Sequence, residues 1–546
     1  MIPFTAQFTD TTSALGRLYA RATKHFLHGI DPQIHANAYI GEHDSHFAES
    51  EFAGKYLAVC CKYAQQMRAP EAYEHARLVA ESIMKNQRAD GYIGGLAAGM
   101  ETRAFSVWNQ AFTLYGLLEY YALTGDCAAL ACGERIALWV ADSFMNRGED
   151  ICAGSNNGSQ HLSFLLPLAR LSKVSDNPIV REFVHYIIMR IRTSDNNFFD
   201  FDSILDLRSK KGIENFVILI GMLEYGDAFG DAAALPACEK YWEELAETQI
   251  RDNGNGTLRE VWTEGGNAPR LLDLSLKPDE NCVAVGWLEF SLALYFHTGE
   301  AKYLDEIEKT VYNHLLGALE EDGSDFAYYQ PNFGRRVTRT AESMYKCCRY
   351  RGYTAAAHLP DMLFRAEEDT LTALLYANAR YEDDRFLITE ETGWPYEGGV
   401  TLHITAKEAC TRTLRLRIPA KTSGAALFID GEAAETAAEN GWISVPRQWS
   451  GTHKITLAFT PELRIRTAEI DGITRVSAMW GCVLLAAETD GEAAEGAWET
   501  LAVDPTKPIV RRADETFAFD ADGTRICDYA SAGRGGREFA VWMKRK

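Results

Sequence analysis

Near His358-Leu359-Pro360 the spacing of apolar residues changes from about 3.6 to 2, and this change limits the fold more than any motif does. Before it, stretches such as EFAGKYLAVCCKYAQQM (51–67), FTLYGLLEYYALTG (112–125) and VGWLEFSLALYFHTG (285–299) carry apolar residues at helical spacing. Three related stretches, GLLEYYALTGD (116–126), GMLEYGDAFGD (221–231) and WLEFSLALYFHTGE (287–300), end in a glycine placed to stop a helix. Repeated helix hairpins of this kind predict a toroid or solenoid of helix pairs. With about a dozen helices, a closed double ring, an (α/α)6 barrel, is the natural arrangement, although spacing alone does not establish closure.

After the change the runs are short and alternating: LTALLYANARY (371–381), VTLHITA (400–406), RTLRLRIPA (412–420), ALFIDG (426–431), GWISVP (441–446) and HKITLAF (453–459). Separated by Gly, Pro and Asp, they predict an antiparallel β-sandwich region. The expected division is therefore a helical toroid over residues 1–358 and β-sandwich material over 359–546, a multidomain α plus β chain. A chain of 546 residues exceeds one ordinary core, so two or three domains are in keeping with its length. The β region holds few histidines or paired carboxylates, which places the chemistry in the helical part.

The formal charge of −22 disfavours nucleic acid and anionic membranes and argues mildly against a polyanionic substrate. No apolar run reaches the roughly 18–20 residues of a membrane helix. MIPFTAQFTDTTSALGRLYARATKHF shows no basic segment followed by an apolar one, so a cytoplasmic protein is expected. The 12 cysteines then read as mostly reduced, inert core thiols.

Two local patterns depart from that reading. One is Asp279-Glu280-Asn281-Cys282 at the start of a helix; the other is Cys347-Cys348 in AESMYKCCRYRG. Together they offer one carboxylate and three thiolates, a donor set that Zn²⁺ accepts. A second adjacent pair, Cys60-Cys61, lies inside an amphipathic helix and reads as core. On spacing alone, a site of Glu280, Cys282, Cys347 and Cys348 fits a structural metal as well as a catalytic one.

From about residue 280 to 360 the chain resembles the β-L-arabinofuranosidase family of glycoside hydrolases, family 127 and relatives. Members carry a Glu-Thr-Cys motif opening a helix, an apolar helix ending in Thr-Gly, a Tyr- and Asn-containing run, a Gly/aromatic turn and then Cys-Cys. Here the order is Glu280-Asn281-Cys282, HTGEAKYLDEIEKTVYNHLLGALEEDGSDFAYYQPNFG (297–334) and Cys347-Cys348. EFAGKYL (51–57), NQRADGYIGG (86–95), GLLEYYALTGD (116–126) and HLPDMLFRAEEDTLTALLYA (358–377) also look like family segments. The tail after about residue 460 matches nothing in that pattern.

The resemblance implies a zinc-dependent retaining hydrolase. Cys347 would attack the anomeric carbon, with Glu280, Cys282 and Cys348 as the remaining zinc ligands, and water would hydrolyse a covalent thioglycoside. The acid/base would be a carboxylate before Glu280. Glu264, in VWTEGGNAP, lies at the implied offset of 16 residues and is followed by Gly265-Gly266; Glu260 is the alternative.

The chain also departs from the family. Where relatives present histidines to sugar hydroxyls, it has Trp108-Asn109-Gln110, Ser155-Asn156-Asn157 and Glu214-Asn215, and Arg349-Tyr350-Arg351 follows the cysteine pair. Asn109, Asn157 and Glu214 are thus the expected sugar-facing residues, and each is equally suited to capping or packing. The substrate implied is a small carbohydrate or glycoside, such as a terminal β-L-arabinofuranoside, with no nucleic-acid or membrane partner. A homodimer is compatible with the sequence, which does not decide the oligomeric state. Two other readings stand beside this one: an (α/α)6 glycosidase using ordinary carboxylates around a structural zinc, and a non-catalytic carbohydrate-binding zinc protein.

Overall fold

The computed structural model describes residues 6–41, 49–94, 101, 106–337, 347–435, 437–512 and 517–546. Gly95 and residues 341–346 of the family-like segments lie outside the described residues. Twelve helices, numbered α1–α12 here, form two concentric rings. The outer ring is α1 (Ala14–Gly29), α3 (Pro70–Asn86), α5 (Cys127–Met145), α7 (Pro178–Thr193), α9 (Ala234–Thr248) and α11 (Ala301–Lys309). The inner ring is α2 (Glu49–Met67), α4 (Ser106–Thr124), α6 (Leu165–Ser172), α8 (Gly212–Phe229), α10 (Asn281–Thr298) and α12 (Cys347–His358).

Burial separates the two rings. The α3 helix buries Ala72, Ala76, Val79, Ala80 and Ile83, a single stripe, as suits a helix with one face in water. The α8 helix buries every residue from Gly212 to Leu223, as suits a helix enclosed on all sides. Each inner helix packs on the next, α2 on α4, α4 on α6, α6 on α8, α8 on α10 and α10 on α12, and α12 returns to α2. That last contact closes the ring, which the hydrophobic period left open. The glycines marked as helix stops do act so: Gly125, Gly230 and Gly299 have φ of 72°, 73° and 72°, a left-handed backbone that a side chain would strain.

The α12 helix ends at His358, a short turn over Leu359–Met362 follows, and the first strand of the β region is Phe364–Ala366. One sheet runs Gln7–Phe8, Ala379–Glu382, Phe386–Thr392, Val400–Arg417, Trp442–Pro461, Thr422–Ile429 and Glu432–Ala434. The long pair Val400–Arg417 and Trp442–Pro461 is antiparallel and buries alternate residues, Val400, Leu402 and Ile404 among them, so one face packs and the other meets solvent. The second sheet, built mostly from residues beyond 460, is centred on Ile473–Trp480 and Val483–Glu488. Pairing is antiparallel except for two short parallel contacts, Thr370–Ala373 with Val400–Arg417 and Ala502–Val503 with Met543–Arg545.

The helical and β parts are stitched together. Gln7–Phe8 pairs with Ala379–Glu382, and Phe333–Gly334, just before the cysteine pair, pairs with Phe539–Ala540. Arg417, fully buried, binds Asp305 of α11 at 2.6 Å, Glu308 of the same helix and the Leu374 carbonyl at 2.6 Å. No helix among the described residues is long and apolar enough to cross a membrane.

Candidate active site and metal-binding cluster

The inner helices begin at one end of the toroid, and the candidate residues stand at those beginnings. Glu280 is the N-cap of α10 and Cys282 lies in its first turn. Cys347 and Cys348 open α12. The α10–α12 contact brings the two motifs together: Cys282 Sγ lies 3.1 Å from Cys347 Sγ and 3.3 Å from Cys348 Sγ, and Cys348 Sγ is 3.9 Å from Glu280 Oε1. The ligand atoms of Glu280, Cys282 and Cys348 all fall within 4.8 Å of one another. Cys282, Cys348 and Glu280 are buried, whereas Cys347 is half-buried. Cys60 and Cys61 are buried in the core of α2, away from any such cluster.

Chemically this cluster asks for a cation. Burial pushes the Glu280 carboxyl up to about 8, with Lys211 opposing and Glu260 reinforcing the rise. Burial likewise raises the Cys348 thiol to about 12 and Cys282 well above its ordinary range, while the Cys282 contact and burial do the same for Cys347. Four groups that are costly to ionise here are all competent metal ligands once ionised. Glu280 Oε2 is buried and has no hydrogen-bond partner among the described residues, so the site retains an unsatisfied acceptor oxygen able to ligate a cation. The residues therefore fit a divalent thiophilic metal.

Two residues at the cluster were not foreseen. Glu51 and Lys55, one turn apart at the start of α2, are 3% and 2% exposed and form an ion pair. Lys55 Nζ lies 3.4 Å from Cys347 Sγ, and the same sulfur is 3.4 Å from Glu51 Oε1. The ammonium also sits over the Phe112 ring, 4.3 Å from its centroid. A Glu and a Lys four apart on a helix ordinarily mark a solvated face. The signal in EFAGKYL was that this pair stands inside an otherwise apolar run.

The loop between α9 and α10 carries both candidate acids. Glu260 has a left-handed backbone, φ 70°, beside Arg259 at φ 50°. It is held there by Gly212 N–H donating to the Glu260 carbonyl at 2.9 Å and Arg259 N–H to the Lys277 carbonyl at 2.9 Å. Its carboxylate accepts from the Tyr329 hydroxyl at 2.5 Å and pairs with Lys211. Burial pushes this carboxyl up, but Lys211 and the Tyr329 hydroxyl more than offset it and hold it below the usual range. Glu264 is exposed, beside a turn closed by the Ala268 N–H and the Gly265 carbonyl at 3.0 Å. Among the described residues no hydrogen bond or ion pair joins Glu264 to the cysteine cluster, whereas Glu260 lies within electrostatic reach of Glu280.

Of the expected sugar-facing set, Glu214 stands in the first turn of α8, buried, accepting from Asn156 Nδ2 at 2.6 Å and from the Ser159 hydroxyl. Burial lifts its carboxyl to about 7. Asn157 braces the loop instead: its side chain donates to the Arg208 carbonyl at 3.2 Å and its carbonyl accepts from Asn196 at 2.8 Å. Asn109 is in the first turn of α4, with a buried, unpartnered Oδ1. Arg349 pairs with Asp325 at 2.8 Å, and Arg351 with Glu289 at 2.6 Å. Lys211, which no motif announced, influences Glu214, Glu260 and Glu280 together.

Residues 5–361 match the family model for β-L-arabinofuranosidase, GH127 catalytic domain, and residues 370–460 match that for the GH127 middle domain. The chain is thus a glycoside hydrolase, with its catalytic domain in the helical toroid. It belongs to the GH127 β-L-arabinofuranosidase family. A search of curated proteins by sequence returns no match. Among solved structures, a GH127 β-L-arabinofuranosidase from Geobacillus stearothermophilus T6 is similar with a TM-score of 0.74 and 18% identity, over 99% of this chain and 100% of that one. A second GH127 β-arabinofuranosidase gives 0.77 and 17%, over 100% and 98%. Both likenesses extend through the C-terminal β region that the family models leave unmatched.

Proposed function

We propose that the protein is a retaining exo-glycosidase in which Cys347 is the nucleophile and Glu260 the acid/base. The observation that carries this reading is the asymmetry of the cluster: the ligand atoms of Glu280, Cys282 and Cys348 lie within 4.8 Å of one another, Cys347 joins them through Cys282 at 3.1 Å, and of the three thiols only Cys347 is not fully buried. Glu280, Cys282, Cys347 and Cys348 would hold a zinc ion, which would keep the thiols ionised at neutral pH. The N-termini of α10 and α12 favour the same anionic forms.

In the first step Cys347 Sγ bonds to the anomeric carbon, the bond from that carbon to the leaving oxygen breaks, and that oxygen takes the Glu260 proton. In the second, Glu260 removes a proton from water, the water oxygen bonds to the anomeric carbon, and the carbon–sulfur bond breaks with its electron pair returning to Cys347. Two displacements give retention. Glu214, Glu260 and Glu280 share one ammonium, Lys211. Ionising Glu280 as a ligand therefore sets a second carboxylate near Glu260 and raises its affinity for the proton it must donate. Glu260 is preferred to Glu264 because it lies within electrostatic reach of Glu280 and is oriented by Tyr329.

The substrate we propose is a terminal β-L-arabinofuranoside or a related small neutral sugar, bound at the inner-helix ends by Asn109, Asn156 and Glu214. A panel of nitrophenyl arabinofuranosides, arabinopyranosides, galactosides and xylosides, followed by peptide mapping of the quenched enzyme, tests the reading. A glycosyl adduct on the Cys347 peptide is expected. An adduct on a carboxylate peptide, or full activity in Cys347→Ser, would leave the cysteines a structural role only.

A further inference from the structure

The cluster contains a cation of its own, and it serves one thiol. Lys55 Nζ has three neighbours: the Glu51 carboxylate, the Cys347 sulfur at 3.4 Å and the face of Phe112 at 4.3 Å. The ammonium is 2% exposed and Glu51 3%, so water does not complete either group. Among the described residues the sulfurs of Cys282 and Cys348 contact each other, Cys347 and Glu280 but no ammonium, and Lys55 acts on Cys282 only through space. A buried ion pair is kept only where further bonds satisfy it, and here the third direction of the ammonium is spent on Cys347.

We infer that Lys55 is a catalytic residue of the second step, stabilising the Cys347 thiolate as it departs from the anomeric carbon. This rests on Cys347 being the nucleophile. A thiolate beside an ammonium gains a charge-assisted contact, whereas the sulfur of a thioglycoside, neutral and weakly accepting, gains little. Lys55 therefore favours free Cys347 over its glycosylated form. When water attacks the anomeric carbon, the electron pair of the breaking carbon–sulfur bond returns to sulfur, and Lys55 is already in place to meet the charge. The same contact tempers Cys347 as an attacking group, so the gain appears in thioglycoside breakdown and not in its formation. Glu51 is the positioning residue: buried one turn earlier on α2, it holds the ammonium, and because its own Oε1 lies 3.4 Å from the sulfur, a departing thiolate without Lys55 would face that carboxylate alone.

The test is steady-state kinetics of Lys55→Met on a nitrophenyl β-L-arabinofuranoside, with metal content by elemental analysis and intact mass under turnover. With metal retained, kcat should fall about tenfold or more while kcat/KM, which reports thioglycoside formation with so good a leaving group, stays within about threefold. A glycosyl adduct on the Cys347 peptide should accumulate, and Lys55→Arg should restore most of kcat. Equal losses in kcat and kcat/KM without an adduct would overturn the role. If Lys55→Met does not fold because Glu51 is left unpaired, the Glu51→Gln/Lys55→Met double variant is compared with Glu51→Gln alone, so that only the ammonium differs, and the same criteria apply to that pair. Failure of the nucleophile reading looks different: Cys347→Ser would turn over, or the adduct would map to another peptide.

Discussion

Lys211 and Glu260 form an ion pair at the entrance of α8, and the Tyr329 hydroxyl completes the carboxylate from the opposite side at 2.5 Å. The pair fixes the direction of a carboxylate whose backbone is itself held in a left-handed conformation. Such a group is oriented before any substrate arrives.

If Glu260 is the acid/base, Glu260→Gln should lower kcat/KM about 10²–10⁴-fold on alkyl glycosides. The loss should shrink on nitrophenyl glycosides, which need no proton to leave. Glu264→Gln, on an exposed turn, should stay close to wild type. Comparing the two variants across leaving groups checks the assignment, and the opposite ranking would transfer the role to Glu264.

The purified protein should hold about one zinc per chain, with Zn–S near 2.3 Å by X-ray absorption. Cys282→Ala should lose most of it, because Cys282 lies between the other two thiols at 3.1 and 3.3 Å. Cys60→Ala should keep it. Elemental analysis finding active enzyme without metal would reject the site.

Glu214 gives a pH signature in stability. Its carboxyl is at about 7 in the folded protein against an ordinary 4.5, chiefly through burial. A raised carboxyl pKa means that the folded state keeps the proton longer than the unfolded one. Stability from this residue is thus full below about pH 4.5 and is lost as the pH rises through about 7. Glu214→Gln should abolish that loss, an effect on the order of 3 kcal/mol over the interval. Denaturant titrations of both proteins between pH 4 and 8 check it; parallel curves would be inconsistent with the burial.

Arg417 joins α11 to the first sheet through Asp305 and Glu308. Arg417→Met should destabilise the fold by about 3–5 kcal/mol, since it strands two carboxylates against a buried surface. Asp305→Asn/Glu308→Gln/Arg417→Met, which removes all three charges, should recover part of the loss. Thermal melts of the single and triple variants compare them.

Much of this was legible along the chain. The change of period at His358 and the glycines at 125, 230 and 299 are local signals, and the structure expresses them locally. Of the two adjacent thiol pairs, Cys347-Cys348 stands out because Glu280-x-Cys282 supplies the further ligands that Cys60-Cys61, inside an amphipathic helix, lacks. Glu51 and Lys55 were hidden because a pair four apart reads the same on a wet face as in a core; only the packing of α2 against α4 and α12 tells them apart. Glu264 was reached by counting residues back from Glu280; the structure sets it on an exposed turn, while Glu260, four residues earlier, is tied to Lys211 and Tyr329 by contacts that a count along the chain does not register. The β-sandwich region expected over 359–546 includes the second sheet, but the partner it takes from the helical part, Phe333–Gly334, pairs across about two hundred residues and leaves no local signal.

That partner strand has a bearing on how the enzyme is made. Arg336, eleven residues before Cys347, donates to the carbonyls of Tyr529 and Ala532, the latter 196 positions downstream. Phe333–Gly334 and Arg336 therefore gain their partners only when the last sheet has left the ribosome, whereas the α10–α12 contact that brings the thiols together needs none of it. Maturation of the site is accordingly a two-stage event, and C-terminal truncations should yield helical protein that loads metal less well.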